Sequence, residues 1–335
     1  KKENTGLISH KNTLLSPIGM VFHVCPANVD TMFFYSLVIS LTMGNKNIVR
    51  LSNRLSDPFI NFLFNTLNEE LETNQSKLFR NYISVIKYDH NEIINTFFSK
   101  LCDARLIWGG DNTSITFKKF VGNPRCKDIA FSDRNSFSII KVSKFYELNE
   151  KQKFEFARLF YNDSYTFDQL GCSSPQSIFL IGSEKESNDF IYDFYSKLND
   201  IVDKNYNTDY GSLASLKFNN MFKDVIEDEV QKINRKSNGL IFLNSSNDKI
   251  KKSCGGGYFY TYNINSVKQI KNHISRRVQT VSYFGLSKGD VNVIINDSIG
   301  LGIDRIVPIG KSLAFDYIWD GYNLCEELSS KKYIL

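Results

Sequence analysis

No two cysteines in this chain stand at CxxC or CxxH spacing, no histidines stand at metal-ligand intervals, and no apolar run reaches bilayer length. Each absence removes a class of protein. The six cysteines, Cys25, Cys102, Cys126, Cys172, Cys254 and Cys325, are too scattered for a zinc site, and a chain of 335 residues does not need a disulfide scaffold. They read as cytosolic thiols, mostly buried. His10, His23, His90 and His273 are isolated from one another, so no metal is expected. The longest apolar stretch, around Met32–Met43, is interrupted by Tyr35, Ser36, Ser40 and Thr42. It falls short of the roughly 20 residues that a spanning helix takes. No signal-peptide pattern opens the chain, so the expectation is a cytoplasmic protein without an integral membrane segment. The first residue is Lys1 rather than Met, which suggests that an N-terminal piece is absent. A formal net charge of +5 is spread along the chain without a basic stripe, so no nucleic-acid partner is expected. The mild positive excess still favours polyanionic small molecules. There is no internal repeat and no low-complexity segment.

What is present is the composition of a folded domain pair: 42% hydrophobic and 23% charged residues, with 27 Phe and 17 Tyr to fill cores. The first part alternates strand and helix signals. Strands are expected at Met20–Cys25, Asn47–Ser52, Asn81–Tyr88, Ala104–Gly109 and Asp128–Ser132. Helices are expected at Val29–Met43, from Asp57 with Pro58 in the first turn to Glu72, at Glu92–Leu101 and at Thr113–Phe120. This rhythm implies a parallel sheet with helices on both faces, which binds ligands at the carboxyl ends of its strands. From about Asn149 the pattern changes to a long helix, Glu150–Tyr161, and a strand at Ser177–Ile181. Helical stretches follow at Ser187–Val202 and Ser212–Ile233, with strands at Gly239–Leu243, Gly257–Tyr262, Val278–Phe284 and Asp304–Pro308. We read a second α/β domain, with the boundary in Lys141–Asn149. The expected division is 1–145, 146–309 and a C-terminal return segment 310–335.

Three local features carry candidate chemistry. Cys25-Pro26-Ala27-Asn28-Val29-Asp30 joins a strand to a helix. Its plain reading is a turn with a helix-capping Asn; its functional reading puts the Asn28 amide at the sheet mouth as an oxyanion donor. Arg50 and Arg54 frame the end of a strand, either as solvated charge or with Arg50 holding a phosphate through its guanidinium fork. Gly109-Gly110 is a turn that also permits close approach of a ligand. The third feature is Asp168-Gln169-Leu170-Gly171-Cys172-Ser173-Ser174-Pro175. An isolated cysteine is usually a small buried hydrophobe, but Cys172 sits among small residues between a long helix and a strand. No adjacent base is evident to raise its thiolate fraction. Gly255-Gly256-Gly257 reads as a loop rather than a phosphate cradle, and Asp224, Glu227, Asp228 and Glu229 read as a solvated helix face.

Taken together, VFHVCPANVDTMFFYSLVISLTMGNKNIVRLS, ARLIWGG, KDIAFSDRNSFSII, FDQLGCSSPQSIFL and GIDRIVPIGKSLAFDYIWDG resemble the acyl-CoA reductases related to the fatty-acid reductase subunit of bacterial luminescence. The matching segments run in the family's order from about Gly19 to Gly321. The resemblance implies an aldehyde-dehydrogenase-like α/β fold: a Rossmann-type cofactor domain facing an α/β catalytic domain, in a homo-oligomer. It implies that Cys172 is the nucleophile, that Asn28 is the oxyanion-hole amide, and that Pro26, Arg50, Ser52, Gly109 and Gly110 lie at the dinucleotide. Arg50 stands where the superfamily has a ribose-binding lysine. An arginine there suits a 2′-phosphate, so NADPH is expected, with NADH possible and coenzyme A as the thioester moiety. An acyl-activating synthetase is the implied partner.

One departure from the superfamily is informative. Aligning Asn135-Ser136-Phe137-Ser138-Ile139-Ile140 with the end of the ELGG-type segment puts Phe131 where acid-forming members carry a general-base glutamate, with Asp133 two positions off. Without a base to activate water, an acyl-enzyme persists and exchanges with a thiol. A ribose-binding glutamate also lacks a counterpart near Cys254–Gly257. The expected reaction is therefore reduction of an acyl thioester, from acyl-CoA or an acyl-protein, to an aldehyde. The alternatives are an aldehyde dehydrogenase running towards the acid, and a non-catalytic acyl-carrying subunit.

Overall fold

A computed structural model describes residues 13–25, 32–53, 58–73, 75–206, 210–227, 230–235, 240–245 and 250–334. The chain forms two compact units, one of residues 1–133 with 316–335 and one of residues 134–315.

The first unit contains β1 (Thr13–Pro17), β2 (Met20–Val24), α1 (Met32–Thr42), β3 (Lys46–Leu51), α2 (Pro58–Glu72), β4 (Ile83–Lys87), α3 (Glu92–Leu101), β5 (Ala104–Trp108), α4 (Asp111–Lys119) and β6 (Lys127–Phe131). The last five-strand set pairs entirely in parallel, in the order β4-β3-β2-β5-β6. Strand side chains alternate between faces. Val21, Leu106 and Trp108 pack on one side, and Phe22 and Ile107 on the other, with Phe117 and Phe120. Both faces are thus covered, as a parallel sheet requires. The helices start where short-range chemistry allows. Pro58 opens α2, where its missing N–H costs nothing, and the Asn91 side chain caps α3 through the Ile94 N–H at 3.0 Å. His23 is buried within the sheet. Its Nε2–H donates to Asn47 Oδ1 at 2.9 Å, because the Asn47 amide nitrogen is engaged by the carbonyls of Asn45 and Tyr82.

The second unit contains β7 (Asn135–Lys141), α5 (Val142–Tyr146), α6 (Glu150–Tyr165), β8 (Pro175–Ile181), α7 (Glu184–Asn205), α8 (Tyr210–Ile226), β9 (Val230–Arg235), β10 (Ile241–Ser245), β11 (Tyr258–Ile264), β12 (Val278–Phe284), α9 (Lys288–Asp297) and β13 (Arg305–Pro308). Its seven-stranded sheet runs β13-β12-β7-β8-β11-β10-β9, parallel except for the edge strand β9. Along β8, Ile178 and Leu180 enter one core with α6 and α7, while Phe179 enters the other. Capping boxes at Asn149–Gln152 and Ser183–Glu186 fix the starts of α6 and α7.

The chain returns to the first unit through β14 (Ile318–Trp319), β15 (Tyr322–Asn323), α10 (Leu324–Glu327) and β16 (Ser329–Tyr333). Strand β16 pairs antiparallel with β1, and Trp319, Leu324 and Leu328 join the core around Val21 and Leu106.

Three sequence readings need correction. The units part after Asp133, not between 145 and 146, because β7 is hydrogen-bonded in register between β8 and β12. The helix expected to reach Ile233 ends at Ile226, since 230–235 finds its backbone partners on β10. Asp224 is not on a solvated face. It is 4% exposed and accepts hydrogen bonds from the hydroxyls of Tyr258 and Tyr260 at 2.6 and 2.9 Å, with Lys251 Nζ at 2.9 Å. Three donors compensate the burial of its charge.

Candidate active site

Cys172 lies on the loop between α6 and β8. Its residue is exposed, while its neighbours Ser173 and Ser174 are buried. The loop is held from two directions. On one side, the Ser136 hydroxyl on β7 donates to the Cys172 carbonyl at 2.6 Å, and itself accepts the Thr280 N–H from β12 at 3.0 Å. On the other, Gln169 is fully buried. Its Nε2 donates to the carbonyls of Pro175 and Tyr258 at 3.1 and 3.0 Å, and its Oε1 accepts the N–H groups of Gly257 and Tyr258, each at 3.0 Å. The side-chain amide is thereby fully satisfied. Asp168 and Gln169 both occupy the left-handed region, with φ of 52° and 61°. Consecutive non-glycine residues in that conformation are uncommon and cluster where a site is held in place.

The glycine loop completes this clamp. Gly256 N–H donates to the Asp168 carbonyl at 2.8 Å. A Cβ on Gly255, at φ +88°, would stand 2.7 Å from the same carbonyl oxygen. The amides of Gly255 and Gly257 are spent on Ser253 Oγ and Gln169 Oε1. The segment is a structural loop against Asp168 and Gln169, its three amides already spent, and offers no phosphate cradle.

In the first unit, Arg50 lies near the carboxyl end of β3, opposite Val24 and Ile86 in the neighbouring strands. Its Nη2 donates to the Tyr88 carbonyl at 3.3 Å, and the guanidinium carbon is 5.1 Å from the centre of the Tyr88 ring. Its buried Nε has no hydrogen-bond partner among the described residues. Burial pushes the Tyr88 hydroxyl up to about 12, and Arg50 opposes that shift. Ser52 is half-buried just beyond β3. Pro26 and Asn28 lie outside the described residues.

Gly109 and Gly110 follow β5. Gly109 N–H donates to the Phe131 carbonyl at 3.3 Å, and Gly110 precedes α4. The first amide of that helix, Asp111 N–H, donates to Asp133 Oδ2, and Asp133 N–H returns to Asp111 Oδ1, each at 3.2 Å. Asp133 is therefore held at the helix start, where a carboxylate is favoured. Phe131, at the position expected of a general base, is buried and stacked on Trp108 at 3.7 Å between ring centres.

Among the described residues no group of His, Cys, Asp and Glu could hold a metal ion, and no helix is long and apolar enough to cross a membrane. Gln169, Ser136 and Thr280 escaped the sequence reading as site residues. Glutamine is mostly exposed in proteins, so nothing local marks Gln169 as a buried clamp. Ser136 is distant from Cys172 in the chain, and Thr280 from both; strand pairing brings Ser136 to Cys172 and Thr280 to Ser136.

A five-stranded parallel sheet in one unit and a largely parallel seven-stranded sheet bearing an exposed cysteine in the other define the aldehyde-dehydrogenase fold. The structure is similar to that of a double mutant of betaine aldehyde dehydrogenase from Staphylococcus aureus in complex with NAD+, at TM-score 0.66 and 14% identity, covering 100% of this chain and 72% of that one. It is similar also to lactaldehyde dehydrogenase from Escherichia coli, at TM-score 0.64 and 11% identity, covering 98% and 73% respectively. The bifunctional proline utilization A protein matches at TM-score 0.64 and 10% identity over 98% of this chain, which spans 36% of that protein. No curated protein matches the sequence. The family model of acyl-CoA reductase (LuxC) matches residues 9–330. This chain belongs to the acyl-CoA reductase (LuxC) family.

Proposed function

We propose that this protein reduces an acyl thioester to an aldehyde, with Cys172 carrying the acyl group and a nicotinamide dinucleotide as reductant. The observation that carries the reading is the exposed Cys172 on a loop pinned by Ser136 and Gln169, in a chain of the acyl-CoA reductase (LuxC) family. The Cys172 thiolate attacks the thioester carbonyl, the C–S bond to the departing thiol breaks, and an acyl-cysteine remains. The Cys172 N–H and the Asn28 amide are the proposed donors to the tetrahedral oxyanion. Reduced nicotinamide, when bound, supplies the hydride. The bond between the acyl carbon and Cys172 sulfur then breaks, releasing the aldehyde and restoring the thiolate.

The residues of the first unit fit an anionic dinucleotide. Arg50 offers a guanidinium whose Nε has no partner among the described residues, at the carboxyl edge of the parallel sheet, where such sheets bind ligands. Arg50, Ser52, Gly109 and Gly110 are the residues proposed to hold it, with Pro26. Arginine at this place favours NADPH over NADH. The position expected of a general base holds Phe131, stacked on Trp108, which favours thioester reduction over acid formation. The acyl donor is proposed to be acyl-CoA or an acyl-protein delivered by an acyl-activating synthetase.

The test is oxidation of NADPH and of NADH by the full chain with a series of acyl-CoA thioesters, for wild type and Cys172→Ala. Thioester-dependent consumption that disappears in Cys172→Ala, with dinucleotide binding retained, is expected. A Cys172→Ala enzyme reducing thioesters at the wild-type rate would overturn the assignment.

A further inference from the structure

Two thiols that the proposed reaction does not use face each other in the first unit. Cys102 precedes β5 and Cys126 precedes β6, and their sulfurs are 3.8 Å apart. The two strands are neighbours, Ala104 opposite Lys127, and Lys127 N–H donates to the Asp103 carbonyl at 3.0 Å. The backbones are thus about one strand spacing apart, roughly 4.8 Å. A disulfide spans Cα separations of about 4.4–6.8 Å, so closing the sulfurs to bonding distance needs side-chain rotation and little backbone movement. The surroundings keep the pair together: Asn123 Nδ2 donates to the Cys102 carbonyl at 2.6 Å, and the Cys126 N–H donates to the Asn123 carbonyl at 3.0 Å.

The pair is also asymmetric. Cys102 is wholly buried, and its thiol lies 3.5 Å from the Ser99 carbonyl. Cys126 is only partly buried. The hydrogen bond between the sulfurs lowers Cys126 below the ordinary thiol range and raises Cys102 above it. Arg105 favours the thiolate at both sulfurs, while burial opposes it. The Arg105 guanidinium is held by two 2.6 Å bonds to Asp128 and by Ser99 Oγ at 3.0 Å and the Phe120 carbonyl at 2.8 Å. Asp128 and Asp103 are the facing carboxylates that oppose the Cys126 thiolate. A partly accessible, thiolate-prone sulfur beside a buried second thiol is the arrangement of a reversible oxidation site.

We propose that Cys102 and Cys126 form a redox-active dithiol, in which Cys126 reacts with a hydroperoxide and Cys102 resolves the product to an intramolecular disulfide. The Cys126 thiolate attacks one hydroperoxide oxygen. The O–O bond breaks, Cys126 becomes a sulfenic acid, and the departing alkoxide or hydroxide takes a proton. Cys102 sulfur then attacks the sulfenic sulfur. The S–S bond forms, the S–O bond breaks, and water leaves with the Cys102 proton. The two thiols lose two electrons and the peroxide gains them.

The experiment treats the full chain with hydrogen peroxide, blocks remaining thiols under denaturing conditions, and maps peptides by mass spectrometry without reduction. A Cys102–Cys126 linked peptide that dithiothreitol removes is expected in the wild type. In Cys102→Ser, dimedone is expected to label Cys126 as the trapped sulfenic acid. In Cys126→Ser, Cys102 is expected to stay unlabelled. Should a serine variant fail to fold, the wild-type map still decides. Recovery of both cysteines as blocked free thiols, under peroxide that oxidises Cys172, would overturn the proposal. So would Cys126 advancing to the sulfinic acid with no linked peptide.

Discussion

The Ser136 hydroxyl donates to the Cys172 carbonyl at 2.6 Å and accepts the Thr280 N–H at 3.0 Å, so one side chain ties the Cys172 backbone to two strands of the sheet. Ser136→Ala leaves that carbonyl and that buried N–H without this partner. A stability loss of about 1–3 kcal/mol is expected, seen as a lower urea midpoint at unchanged slope. A fall in kcat of about tenfold to a hundredfold is expected from displacement of the thiol. Unchanged kcat with reduced stability would confine Ser136 to a structural role.

Gly255 and Gly300 form a matched pair for the glycine loop. Both have positive φ, +88° and +76°. A Cβ at Gly255 would meet the Asp168 carbonyl oxygen at 2.7 Å, whereas at Gly300 it meets nothing within 4 Å. Gly300→Ala should cost only the left-handed penalty, about 1–2 kcal/mol. Gly255→Ala should cost more and lower thioester turnover, because the clash pushes on the backbone beside Gln169. Parallel denaturation curves and steady-state rates for both variants test this, and equal effects would remove the clamp from the argument.

His23 sets a pH dependence. Burial lowers it from 6.5 to about 4, against the hydrogen bond to Asn47. In the folded chain it stays neutral between pH 6.5 and 4, while the unfolded chain takes up the proton. Stability from this group is thus complete above pH 6.5 and is lost as the pH falls towards 4, by up to about 3 kcal/mol. Unfolding free energies measured from pH 7 to pH 4 should show this fall in the wild type and a shallower one in His23→Gln. Equal slopes would show that other groups dominate the acid limb.

Arg50 is proposed to select the phosphorylated cofactor. Arg50→Ala is expected to raise the KM for NADPH about tenfold to a hundredfold, as loss of a charged hydrogen bond of about 1.5–3 kcal/mol implies. The KM for NADH should change less. Dinucleotide titrations with both cofactors check the difference, and a parallel loss for the two would place Arg50 away from the 2′-position.

The alternation of β and α signals up to Phe131 was legible because parallel-sheet strands are short apolar runs separated by helices, one of them with a visible start at Pro58. The strand at β7 was not legible as the first of a new sheet. The sequence reading gives 135–141 no strand, since it follows β6 with no helix between, and only pairing with β8 and β12 places it in the second unit. Asp224 was misread for a related reason. A carboxylate among other acids on a helix resembles a solvent face until Tyr258 and Tyr260, more than thirty residues later, bring their hydroxyls to it.

The sequence by itself determined the family and the α/β class, and it singled out Cys172 as the proposed nucleophile, because ordered segments such as FDQLGCSSPQSIFL and ARLIWGG stand in the chain whatever its conformation. The tertiary structure decided what holds Cys172 and what accompanies it. Gln169 meets Gly257, Ser136 meets Cys172, Asp133 meets the start of α4 and Cys102 meets Cys126 through non-local contacts. Hydrogen bonds and thiol contacts depend on distances of about 3–4 Å, and strand register, not separation along the chain, sets those distances.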